Sequence, residues 1–119
     1  MNARRMKTYS AQSGYVYQYY FLESKVRRRW LGNGGTAFLF HVTSDRKNFS
    51  VVEILLEEAA LKAWEKAHGR ALAEQEKYAA AKMGLFRTFD ETGEPAKLQA
   101  FRVSAAMMDE LLAPLGLDI

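Results

Sequence analysis

Three stretches between Tyr15 and Leu56 consist of strand-forming residues that are apolar on both parities, and no other feature limits the fold as much. Successive side chains of a strand point to opposite sides. Tyr15 to Leu22 therefore sets Tyr15, Tyr17, Tyr19 and Phe21 on one side and Val16, Gln18, Tyr20 and Leu22 on the other. Thr36 to Thr43 and Phe49 to about Leu56 repeat the pattern, with Phe38, Phe40 and Val42 matched by Val52, Ile54 and Leu56. Apolar residues on both sides of a sheet need two covering layers. A pair of helices supplies one, and the other calls for a further helix or a second subunit.

The turn-forming run Ser44-Asp45-Arg46-Lys47-Asn48 joins the second and third of these strands. Pairing Val42 with Val52 keeps the large apolar side chains together and sets His41 opposite Glu53. From Glu57 the period becomes helical, with Ala60, Leu61, Trp64 and Ala67 on one stripe and Gly69 as the stop. A second helix, from about Ala73 to Asp90, turns Tyr78, Ala79, Met83, Phe86 and Phe89 inward and Lys77, Ala80, Gly84, Arg87 and Glu91 outward. Asp90 to Pro95 reads as a loop and Leu98 to Val103 as a short fourth strand. Ser104 opens a last helix with Met107, Met108, Leu111 and Leu112 on one stripe, stopped near Pro114.

The order β-β-β-α-α-β-α describes an α+β domain: an antiparallel β-meander, two helices, a short fourth strand and a C-terminal helix. Residues 1–13 are polar and aperiodic and read as a flexible N-terminal arm or an edge extension. Residues 14–119 read as a single domain, since no Pro/Gly/Ser-rich interval is long enough for a linker. Without cysteine there is no thiolate nucleophile and no disulfide. No stretch approaches the roughly 18 continuous apolar residues of a membrane helix. MNARRMK lacks the apolar run of a signal peptide, so the expected location is the cytoplasm, without a membrane.

Charge is unevenly placed. Residues 1–30 hold seven cations against Glu23, a net of +6, while the other 89 residues sum to −3. Such asymmetry marks either an anionic partner or a solvated basic surface. Its densest part follows the aromatic run directly, and Asn33-Gly34 beyond it is a favoured two-residue hairpin turn. A tight turn there pairs the second strand with Ser24 to Leu31 and puts the arginines on the sheet. A long loop over Glu23 to Gly35 pairs it instead with the aromatic run and sends the arginines into solvent. The loop is favoured, because Tyr15 to Leu22 gains more from central burial than an arginine-rich segment does.

Lys25, Arg27, Arg28, Arg29 and Trp30 are the candidate binding residues, the cations suited to phosphates and the indole to stacking on a base. Solvation, or pairing with Glu57, Glu58 or Glu74, is the competing account of the same cations. The order of elements does not fit the RNA-recognition fold. A helix-turn-helix over Ala59 to Phe89 would lead its recognition helix with Glu74 and Glu76, which repel phosphate.

For catalysis, His41 and Glu53 are the one histidine–carboxylate pair the register unites, and a third member is missing. Two histidines 27 positions apart match no metal-ligand spacing, and Gly32-Asn33-Gly34-Gly35 lacks the Lys-Ser/Thr of a phosphate loop. The chain is expected to be a small non-enzymatic interaction module, without metal or cofactor, that binds another protein or itself through a sheet face or the amphipathic last helix. The alternative is a polyanion or nucleic-acid binder using residues 25–30.

Overall fold

The aromatic run and most of the basic segment form one strand. The computed structural model describes residues 5–28, 34–93, 95, 98 and 100–116. In chain order it contains β1 (Lys7–Ser10), β2 (Val16–Arg27), β3 (Gly35–Thr43), β4 (Phe49–Glu57), α1 (Glu58–His68), α2 (Glu74–Glu91), β5 (Phe101–Val103) and α3 (Ala105–Leu112). A 3-10 turn, Ala113–Leu115, follows. The strands make one sheet in the order β1-β2-β3-β4-β5. The α+β class and the succession of elements agree with the sequence. Lys7–Ser10, inside the stretch read as an arm or an edge extension, is an edge strand on β2. One detail differs. The sheet is mixed, because α1 and α2 form a crossover that returns β5 parallel to β4.

Neither expected arrangement of Glu23 to Gly35 is correct. β3 pairs with the aromatic run, Tyr19 with Val42 and Phe21 with Phe40, and then continues along the basic segment, Lys25 with Ala37 and Arg27 with Gly35. Between Phe21 and Glu23 the register shifts by one residue at a β-bulge. The odd positions Tyr17, Tyr19 and Phe21 face the core. Without the bulge Glu23, Lys25 and Arg27 would follow them inward. Burying three charged side chains costs far more than an interrupted ladder, and the extra residue moves all three to the opposite side.

The β3–β4 register is also two residues from the expected one. Thr43 pairs with Phe49, so His41 lies opposite Val51, and Glu53 opposite Leu39. The turn is shorter because its own side chains close it. Thr43 Oγ1 accepts the backbone N–H groups of Asp45 and Arg46, and Asp45 Oδ1 accepts those of Lys47 and Asn48, both at 2.8 Å. Arg46 takes the left-handed conformation that completes the reversal. At the other end of β3, Gly35 is required by close approach, since a Cβ there would lie 2.1 Å from the Leu56 carbonyl oxygen.

The buried cluster draws on one parity of the strands only: Tyr17 and Tyr19 of β2, Phe38, Phe40 and Val42 of β3, Val52, Ile54 and Leu56 of β4, and Val103 of β5. Ala60 and Trp64 of α1, Leu85 and Phe89 of α2, and Met108 and Leu112 of α3 belong to the same cluster, so the described helices form one layer on one side. Tyr17 stacks on Phe89 and Tyr9 on Phe86, each pair with centroids 4.1 Å apart. The Tyr9 hydroxyl donates to Asp90, fastening the β1 edge to the end of α2.

Ala80 and Gly84 of α2, expected on its outer side, are buried. The helix contacts both the sheet and α3, so its buried arc is wider than one stripe. At Gly84 it approaches the sheet closely, and a Cβ there would meet Ile54 Cγ2 at 3.2 Å and Val103 Cγ2 at 3.3 Å.

Candidate functional site

The second side of the sheet has no helix over it among the described residues, and its side chains divide into two zones. Toward the β3–β4 turn lie Tyr20 of β2, Leu39 and His41 of β3, and Phe49 and Val51 of β4. Phe49 is 46% exposed and Val51 53%, values that exclude them from any core. The Tyr20 hydroxyl and His41 Nδ1 share a hydrogen bond of 2.5 Å. Their rings meet edge to face at 5.1 Å, and His41 lies 4.8 Å from Phe49. Three rings therefore form a row across the three central strands. Aromatic side chains held this way present large contact area at little entropic cost, which is why they dominate protein interfaces.

Toward β5 the same side is charged and balanced. Its charged strand positions are Glu23, Lys25 and Arg27 of β2, Glu53 and Glu57 of β4, and Arg102 of β5, and their long side chains surround Ala37 and Leu55, which are buried. Each cation has a carboxylate beside it. Arg27 Nη2 donates to Glu53 Oε1 at 2.6 Å, Arg102 Nε to Glu57 Oε2 at 2.8 Å, and Lys25 Nζ lies 3.6 Å from Glu23. Three cations matched by three carboxylates create no net field to attract a polyanion.

Of the candidate binding residues, the structure separates those it describes. Lys25 is exposed on the sheet, Arg27 is half-buried in its pair, and Arg28 is exposed just past the end of β2. Arg29 and Trp30 lie outside the described residues. The loop expected to project all four cations into solvent is instead strand as far as Arg27, because the bulge at Leu22 lets charged residues continue the pairing.

The His41–Glu53 pair does not form. Glu53 is held by Arg27 and His41 by Tyr20, so among the described residues the ring has no carboxylate to orient or activate it. Three carboxylates that line two of the clefts are engaged in structure too. A cleft of about 440 Å³ between the β3–β4 turn and Leu98 includes Asp45. The N–H groups of Asn48 and Lys47, with the Asn48 side chain, hold the Asp45 carboxyl well below its ordinary range. A second, of about 580 Å³, includes Asp90 and Glu110. Asp90 accepts from Tyr9 and Gln12, and Glu110 is paired with Arg87 at 2.5 Å. Among the described residues no three His, Asp or Glu side chains cluster as a metal would require. No described helix is long and apolar enough to cross a membrane.

The row Tyr20–His41–Phe49 is what sequence reasoning missed as a site. Its signal is the even parity of Tyr20 within a run whose odd positions already supply the core, together with apolar residues at Leu39 and Val51 in register with it. The comparisons add no functional assignment: no family model, no curated protein and no solved structure matches the chain.

Proposed function

We propose that this chain is a non-enzymatic interaction module, acting in the cytoplasm, that holds another protein surface against the side of its sheet that no described helix covers. One observation carries the reading: the exposed side of the central strands joins a ring-rich apolar zone to a charged zone whose cations are internally matched. An apolar, ring-rich zone beside a polar, charge-balanced one combines the two kinds of surface found in protein interfaces. Polyanion sites present unmatched cations. The engagement of His41 by Tyr20, with no carboxylate beside it among the described residues, supports the non-enzymatic part.

A photo-reactive phenylalanine analogue placed at Val51 tests this in cells, with the same group at exposed Lys62 of α1 as the control. Protein adducts from position 51 and none from 62 are expected. Absence of adducts from position 51 removes the reading. The polyanion alternative retains exposed Arg28 in its favour. It requires that Arg28→Ala weaken a mobility shift on mixed DNA and RNA and reduce its salt dependence.

A further inference from the structure

We infer that the surface occupying this side of the sheet is a second copy of the chain, packed face to face about a two-fold axis parallel to β3. The inference rests on the interaction reading above and names the partner. An axis in that direction turns the second copy over so that its β2 lies across the first copy's β4, at the same level along the strands. On this side of the sheet β2 carries Glu23, Lys25 and Arg27, a net of +1, whereas β4 carries Glu53 and Glu57, a net of −2. Arg27 of each copy then lies level with Glu57 of the other and Lys25 between the levels of Glu53 and Glu57, twice by symmetry, and these contacts outnumber the one like-charge juxtaposition, Glu23 over Glu53.

The other zone is matched at the same time. Tyr20 and Val51 occupy one level, on β2 and β4 respectively, so each covers the other's equivalent in the second copy, and the two ring rows meet at the axis. A two-fold perpendicular to the strands would set the charged zone of one copy over the rings of the other, burying charges against apolar groups. The extent fits a weak pairing. Three strands of nine to twelve residues with edge strands of four and three give a face of roughly 500 Å² in projection, smaller than the roughly 800 Å² per partner of a standard interface and of the size of weaker, transient pairings.

Sedimentation velocity on the purified full chain at about 100 μM, where even a weak homodimer is populated, should give twice the 13.5 kDa chain mass. Val51→Asp should raise the dissociation constant at least about thirtyfold by stranding a charge in the apolar zone. Circular dichroism and Tm of that exposed-site variant report whether its fold is retained. Lys25→Glu and Glu57→Lys should each weaken self-pairing about tenfold, and an equimolar mixture of the two should recover it. This complementation does not depend on Val51 and leaves the Arg27–Glu53 pair intact.

A monomer at that concentration overturns the inference. So does a Val51→Asp dimer, or a mixture of the charge variants that recovers nothing. The cross-linking at position 51 separates this failure from that of the parent reading. Adducts of a different mass, with a monomeric chain, leave the interaction face standing and eliminate the second copy as its occupant.

Discussion

The two sides of this sheet carry aromatic rings in adjacent positions and use them in opposite ways. On the covered side Tyr17, Tyr19, Phe21, Phe38 and Phe40 pack against Tyr78, Phe86 and Phe89 of α2. On the other, Tyr20, His41 and Phe49 form a single row with no described helix above it. Tyr19 and Tyr20 are consecutive, equally aromatic, and differ only in parity. Ring content therefore does not identify core. What separates the two sides is the company each row keeps: mainly Val42, Val52, Ile54 and Leu56 on the covered side, and Gln18, Glu23, Lys25 and Glu53 interleaved on the other.

That contrast is most easily broken by truncating one ring on each side. Phe40 is fully buried, and Phe40→Ala should lower unfolding free energy in urea by about 3–5 kcal/mol, the cost of a lost phenyl and the cavity it leaves. Phe49→Ala should change it by less than about 1 kcal/mol while weakening self-pairing. Equal losses at the two positions would mean that the second side is covered after all.

Next in size is a change at the closest approach of the helix layer. Gly84→Val adds two methyl groups where a Cβ alone already meets Ile54 and Val103 at 3.2 and 3.3 Å. About 1–3 kcal/mol of destabilisation is expected from such overpacking. A neutral Gly84→Val would show that α2 rides higher over the sheet than these distances imply.

Gly84 also illustrates what the sequence could and could not convey. Strand parity from Tyr15 to Leu22 was legible because alternation is a property of the backbone alone, and helix α1 was legible from its stripe and its terminal glycine. Three things were not. The register of β4 depends on how Asp45 and Thr43 close the turn, which hydrophobic matching cannot sense, since a two-residue slip keeps every side chain on its own side. The burial of Gly84 depends on how closely α2 approaches β4 and β5, which a helical stripe does not convey. The fate of the basic segment depended on a bulge. Its trace was present in the odd positions of β2, which pass from Tyr17, Tyr19 and Phe21 to Glu23, Lys25 and Arg27. A strand that abruptly turns charges inward must either end or shift its phase. The site was half legible for the same reason: the cations were visible, their matched carboxylates were not.

Those charges allow a smaller comparison within the exposed side. Arg27→Ala leaves Glu53, itself only 19% exposed, without its partner, and should cost about 1–2 kcal/mol in urea unfolding. Lys25→Ala removes a well-exposed pair with Glu23 and should stay within about 0.5 kcal/mol. If the two variants unfold alike, the Arg27–Glu53 pair is no more than a solvated contact.

The least effect at neutral pH, and the sharpest test of the covered side, comes from its tyrosines. Burial, with Tyr78 nearby, pushes the Tyr19 phenol from its ordinary value of 10 up to about 12. Burial also raises Tyr9, Tyr17 and Tyr78, with Asp90 adding to the effect at Tyr9. Each group is held neutral by the fold and ionises more readily once unfolded. The stability this lends is complete below pH 10. As pH rises from 10 toward 12 the unfolded chain releases protons that the folded chain retains, so unfolding becomes progressively easier. Tm should therefore fall across that interval, and Tyr19→Phe, which has no proton to lose, should flatten the decline while leaving the neutral-pH profile nearly in place. An alkaline slope identical in Tyr19→Phe and the parent chain would put Tyr19 in contact with solvent, and the distinction between Tyr19 and Tyr20 on which the two sides rest would be lost.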